Sequence, residues 1–268
     1  NLFGGGASSS NKEINQKEYR NSKLYKSYVG KEFKNMARNP VFLMQCLIPA
    51  ILIPIIMVVV VYTGLNSDGM GLEQITQMVQ QMPTNTFFIA CIILGVIQFF
   101  TMFIYISITA ISRDGENAVF MKYIPVSLYK QYVYKTMPNI IMNIISILIV
   151  LGLARYAVEI SVLDLVIAFG VSTIMAVFQS FLLLLIDLKR PKLKWSSEYA
   201  VVKQNFNLIF PMIFSFVNIG IIVILGLAME EYPAYIPVAI LAVAFMLATV
   251  ILCGYLKKNQ YKLASKIM

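Results

Sequence analysis

The stretch VLDLVIAFGVSTIMAVFQSFLLLLIDLKRPKLKW, residues 162–195, decides the fold. Its first part, residues 162–186, is apolar and holds one ionisable side chain, Asp164, close to its start. Its last part, residues 187–195, carries Lys189, Arg190, Lys192 and Lys194. Roughly 20 apolar residues in a helix cross about 30 Å of hydrocarbon. Basic residues beside a span stay on the cytoplasmic side. The stretch therefore reads as a membrane span whose C-terminal end lies inside.

Working outward, the same pattern recurs. Apolar runs at about residues 40–63, 86–111, 137–156, 162–186, 205–229 and 233–256 predict six spans. Of the 22 Lys and Arg residues, all but Arg155 fall in residues 1–39, 112–136, 187–204 or the tail from residue 257. Those segments share one side of a six-span chain. The expectation is an all-α, polytopic membrane protein with six transmembrane helices and both termini cytoplasmic. Residues 1–39 form a cytoplasmic linker and an amphipathic interface helix, and residues 40–268 form the transmembrane domain. The place for such a chain is the cell membrane, as a multi-pass protein. Residues 1–11, rich in Gly and Ser and not opening on Met, read as a flexible linker inside a longer polypeptide.

Composition agrees with a membrane protein. The chain is 59% hydrophobic, where soluble domains sit near 45–50%, and its mean hydropathy is +0.74. The net charge of +9 is spread over short segments beside spans. Orientation and anionic lipid headgroups explain it, rather than nucleic acid. Cys46, Cys91 and Cys253 are far apart within apolar runs, and histidine is absent. This argues against a disulfide framework, a metal cluster and His-based chemistry. Gly30-Lys31 lacks the upstream glycine of a phosphate loop, because position 25 is Tyr. No catalytic set is visible, so the chain reads as no enzyme.

The spans are nearly free of charge, which disfavours an ion-coupled carrier. Gln45, Gln98, Thr101, Asn143, Gln179, Ser215 and Asn218 are uncharged polar residues within them. They either pair between helices or line a path. Ala168, Ser172, Ala176 and Ser180 recur every four residues on one helical face. Small residues at that spacing serve close helix packing, within the bundle or against a second half or copy. Pro49 and Pro54 predict a bend in the first span. The third span is the shortest. Residues 64–85 hold a short outer amphipathic helix through Leu72, Ile75, Met78, Val79 and Met82. Residues 155–161 and 230–232 make short outer turns.

The most informative loop is SRDGENAVFMKYIPVS, residues 112–127. Arg113, Asp114, Gly115 and Glu116 open a short helix. Phe120, Tyr123 and Ile124 fall on one face, and Pro125 ends the segment. A short cytoplasmic helix with an aromatic face suits docking into a groove of a soluble partner or lying on headgroups.

This loop, with its approach TAISRDGEN (residues 109–117) and its continuation MKYIPVS (residues 121–127), resembles the permease subunits of bacterial type-2 ABC exporters. Asp114 stands where family members often carry Glu. A second block, DLKRPKLKW (residues 187–195) with Glu198 and VKQN (residues 202–205), resembles a cytoplasmic loop of permeases with two six-span halves in one polypeptide. Its singled-out residues are Asp187, Arg190, Pro191, Trp195 and Glu198. Arg38-Asn39-Pro40 is a further cue.

The resemblance implies the C-terminal six-span half of a permease, with residues 112–127 as the coupling helix. ATP and Mg²⁺ would be bound in a separate nucleotide-binding subunit, and no cofactor by this chain. The implied partners are that ATPase, another six-span half or copy, and the lipid bilayer. Permeases of this type usually carry re-entrant helices between spans 5 and 6, for which residues 230–233 are very short. An ATP-independent carrier or channel and a non-transporting membrane scaffold are the competing readings.

Overall fold

The computed structural model describes residues 24–67, 86–157, 161–229, 232–233 and 235–267. Among these the chain is all-helical, with no strand. Of the linker expected at 1–11, the outer helix expected in 64–85 and the turns expected at 155–161 and 230–232, residues 1–11, 68–85, 158–160 and 230–231 lie outside them.

Helix α1 (Leu24–Arg38) carries the basic N-terminal segment. Its inward face is Tyr28, Val29, Glu32, Phe33 and Met36. Asn39 then stops it, because a residue before proline avoids the α region. Asn39 is extended at φ −98°, ψ 115°, and its side-chain oxygen accepts from the amides of Val41 (3.0 Å) and Phe42 (3.3 Å). With Pro40 at the first helical position, this N-cap starts α2. Helix α2 runs as Pro40–Phe42, a wider π turn Leu43–Leu47, and Ile48–Ser67. The two helices meet at 98°.

Helix α3 (Thr86–Thr101) is followed by the segment Ser112–Lys122, in 3-10 turns. Helix α4 (Leu128–Ala157) and helix α5 (Val162–Lys189) come next. Short α6 (Glu198–Lys203), a 3-10 turn at Phe206–Leu208 and α7 (Ile209–Ala228) follow. Helix α8 (Tyr235–Lys258), a short α9 (Gln260–Ala264) and a 3-10 turn at Ser265–Ile267 complete the described chain. Helix α5 is the centre, packed against α3, α4, α7 and α8.

Among the described residues, four helices are long and apolar enough to cross a membrane: Leu128–Tyr156, Val162–Lys189, Phe206–Ala228 and Tyr235–Lys258. A fifth is reached if the bent pair Lys26–Arg38 and Pro40–Ile56 counts as one span. Their outward faces are apolar as well. Ile224 is 66% exposed, Val250 68% and Ile251 72%. Contiguous apolar surface on this scale fits hydrocarbon, not water. The molecule is a membrane-embedded helical protein.

Two boundaries differ from the sequence reading. The apolar run at 137–156 is no short span: Leu128–Ala157 is the longest described helix, at 30 residues. Pro138 lies inside it, and its first turns bury Leu128, Gln131, Tyr132 and Lys135. The run at 86–111 is not one helix, because regular helix stops at Thr101. Met102, Ile104, Ile106, Ser107, Ile108, Thr109, Ala110 and Ile111 are all buried. Buried backbone leaves a helix only where other groups take its hydrogen bonds. Here the Asn139 side chain accepts from the Ser107 amide (3.2 Å), Arg113 donates to the Ile106 carbonyl (2.7 Å) and Lys135 donates to the Ala110 carbonyl (3.2 Å).

Candidate functional site

The segment after residue 111 is anchored at Ser112. The Asp187 carboxylate, at the end of α5, accepts from the Ile111 amide (2.7 Å), the Ser112 amide (3.1 Å) and the Ser112 hydroxyl. The Ser112 hydroxyl oxygen accepts in turn from the Lys192 amide at 2.9 Å. The Ser112 carbonyl accepts from Trp195 Nε1 at 3.0 Å. One serine thus joins residues 112–127 to the segment that follows α5, and the two family-like blocks of the sequence form one structure.

Gly115 shows why the block needs its glycine. Its φ is +56° and ψ −134°, a conformation rarely open to side-chain-bearing residues. A β-carbon there would meet the Trp195 indole at 3.1–3.2 Å. The kink splits the segment into two short pieces, and the ring of Trp195 covers it. Lys192 holds the other side: its Nζ donates to the carbonyls of Ala200 (3.0 Å) and Gln204 (2.8 Å), capping α6.

A buried ion cluster joins the same segment to α1 and α4. Lys135 Nζ lies 2.9 Å from Glu32 and 2.7 Å from Asp114. Arg113 Nη2 lies 4.0 Å from Glu32, while its Nη1 donates to the Thr109 hydroxyl at 2.6 Å. Glu32 is 2% exposed and Lys135 fully buried. Two cations and two carboxylates close together make a neutral cluster, the condition under which buried charge is tolerated. Leaving one partner alone would strand a buried charge.

The singled-out residues thus separate by position. Arg113 and Gly115 are buried and Asp114 is partly covered, so they organise the segment from within. Glu116, Phe120, Tyr123 and Pro125 are exposed, and Ile124 is half-buried. Phe120 (62% exposed) and Tyr123 (78%) form a ring pair with centroids 6.5 Å apart. Asp187 is buried, Pro191, Trp195 and Glu198 are half-buried, and Arg190 is exposed. The Arg190 carbonyl accepts from Asn207 Nδ2 at 2.8 Å.

Ala168, Ser172, Ala176 and Ser180 are all buried within the chain. Ala168 and Ala176 pack with Ile97 and Phe100 of α3 and Ile147 and Leu151 of α4. The Ser180 hydroxyl accepts from Asn139 Nδ2 at 2.7 Å. The stripe therefore packs within the chain's own bundle.

Several polar residues of the spans pair between helices. Asn218 Nδ2 donates to Gln98 Oε1 (3.0 Å), and the Thr101 hydroxyl donates to Gln179 Oε1 (3.3 Å), tying α3 to α7 and α5. Asn143 donates to the Asn139 carbonyl of its own helix, Ser215 is buried, and Gln45 is half-buried. The C-terminal end packs beneath α4. Tyr132 donates to the Gln260 carbonyl (3.0 Å), Gln260 Oε1 accepts from the Tyr129 amide (3.1 Å), and Leu263 and Ile267 are buried.

Sequence reasoning missed Glu32, Asn139 and Lys135, and quoted Ser112 and Lys192 only as members of the two blocks. Glu32 had a signal, being an acid on the inward face of a basic helix. Lys135, at the edge of an apolar run, read as an orientation charge. Compared with family models, curated proteins and solved structures, the chain matches none.

Proposed function

We propose that this chain is the membrane-spanning permease part of an ATP-driven exporter in the cell membrane. It has six spans, both termini cytoplasmic, and works with a second six-span half or copy. In this reading α2 and α3 supply the first two spans, and the buried non-helical residues 102–111 complete the second. A soluble ATPase binding ATP and Mg²⁺ docks on the exposed aromatic tip of residues 112–127. One observation carries the reading: an exposed Phe120–Tyr123 pair stands on a base locked into α1, α4 and α5. A docking surface that floated on its loop would absorb motion. One tied to the bundle passes a displacement on as rigid-body movement. Nearly charge-free spans favour an amphipathic or lipid-like cargo.

Mild-detergent purification with the products of neighbouring genes, followed by an ATPase assay, tests this. An ATPase is expected to co-purify, and Phe120→Asp with Tyr123→Asp should release it while the protein stays folded. Failure to recover an ATPase, or vanadate-insensitive transport in sealed vesicles, would sink the proposal and favour a carrier.

A further inference from the structure

Between α1 and residues 112–127 lies a groove of about 800 Å³. Lys26, Lys31, Lys34 and Arg38 stand along its α1 side, all exposed. Tyr28, Phe42, Met121 and Trp195 supply apolar and aromatic wall. Two acids also line it. Asp114 is already engaged by Lys135 at 2.7 Å, which leaves Glu198 against the cations.

Arg113, 4% exposed, lines the groove as well. Its Nε and Nη2 have no hydrogen-bond acceptor, Nη2 lying 4.0 Å from Glu32. A buried guanidinium with unsatisfied N–H groups calls for an acceptor. Phosphate oxygens match a guanidinium fork and an array of lysines.

Two features select a lipid phosphate. Helix α1 meets α2 at 98°, so an α2 that crosses the bilayer lays α1 and its groove at headgroup level. The lining also passes from lysines to Phe42 and Ile124, the polarity gradient of a glycerophospholipid. We propose that this groove binds the headgroup of an anionic phospholipid. Its phosphate sits among Lys31, Lys34, Arg38 and Arg113, and its glycerol end lies against Phe42 and Trp195. The groove shares Phe120 and Ile124 with the surface on which an ATPase would dock, so the lipid is tested on the chain without an ATPase.

Trp195 is the chain's single tryptophan, so its emission reports on the groove. The purified full chain in detergent is titrated with dihexanoyl phosphatidylglycerol, dihexanoyl phosphatidylcholine or inorganic phosphate. A saturable change with the anionic lipid alone is expected. Lys31→Gln/Lys34→Gln/Arg38→Gln should weaken it at least tenfold, since each cation near anionic lipid contributes on the order of 1 kcal/mol. Lys34→Gln alone should weaken it measurably if the triple variant fails to fold. Lys257→Gln/Lys258→Gln, at the end of α8, should leave it unchanged. Any of four results overturns the proposal: an equal response to phosphatidylcholine, no loss in the groove variants, saturation by inorganic phosphate at the same concentration, or emission that moves only on adding a soluble ATPase.

Discussion

Replacing Glu32 by Gln removes one charge from a four-member cluster and tests what holds α1 in place. Breaking a buried ion pair by removing one partner costs about 3–5 kcal/mol. Glu32→Gln falls at or below the low end of that range, because Lys135 keeps Asp114 at 2.7 Å and the Ala110 carbonyl at 3.2 Å. A loss of about 2–3 kcal/mol is expected. Lys135→Met falls at the high end, since it leaves Glu32 and Asp114 with only Arg113, 4.0 Å from Glu32. Glu32→Gln with Lys135→Met removes opposite charges together. It should therefore lose less than the sum of the single changes, with a coupling of at least about 1 kcal/mol. In lipid nanodiscs, Glu32→Gln should lower the thermal midpoint by roughly 5–10 °C. Tryptic cleavage at exposed Lys31 and Lys34 should quicken roughly thirtyfold or more, the factor that 2–3 kcal/mol implies for local opening. A midpoint within about 1 °C of the parent with unchanged cleavage would refute the reasoning. So would strictly additive losses in the double variant.

Gly115→Ala forces an unfavourable φ and pushes a β-carbon toward the Trp195 ring at 3.1–3.2 Å. It should cost about 2–3 kcal/mol by thermal unfolding, and Trp195 emission should shift toward that of an exposed indole. Asp187→Asn weakens an acceptor shared by the Ile111 and Ser112 amides, so those two amides should exchange hydrogen at least tenfold faster, a change of about 1.4 kcal/mol. Asn218→Ala leaves Gln98 Oε1 without its 3.0 Å donor and should destabilise by about 1–3 kcal/mol, read as the midpoint difference from Ile221→Ala, a lipid-facing control on the same helix.

Hydropathy made the long apolar helices legible, because their outward faces meet hydrocarbon and no competing structure can satisfy the backbone there. Asn39-Pro40 was legible as the break before α2, since its signal is local. The end of α3 was not, because the groups that replace its helical hydrogen bonds come from Asn139 and Lys135, 32 and 25 residues from the groups they bond. A local hint existed in Ile104, Ile106 and Ile108, β-branched residues at every second position inside a supposed helix. Residues 112–127 and 187–195 stood out as two separate blocks, but their packing on each other was not legible. Arg113 and Gly115 look like a partner-facing motif in one dimension. Only the pairing of Ser112 with Asp187 and Trp195 turns them inward.

Residues 102–111 behave as a keyed shaft rather than a rod. A regular helix carries its own hydrogen bonds and can turn about its axis without consulting its neighbours. This segment borrows partners from Asn139 and Lys135 of α4, and its final residue from Asp187 of α5. Torque applied at the aromatic tip therefore has no free axis to spin away on. It must either shear those bonds together or swing α4 and α5 as one body.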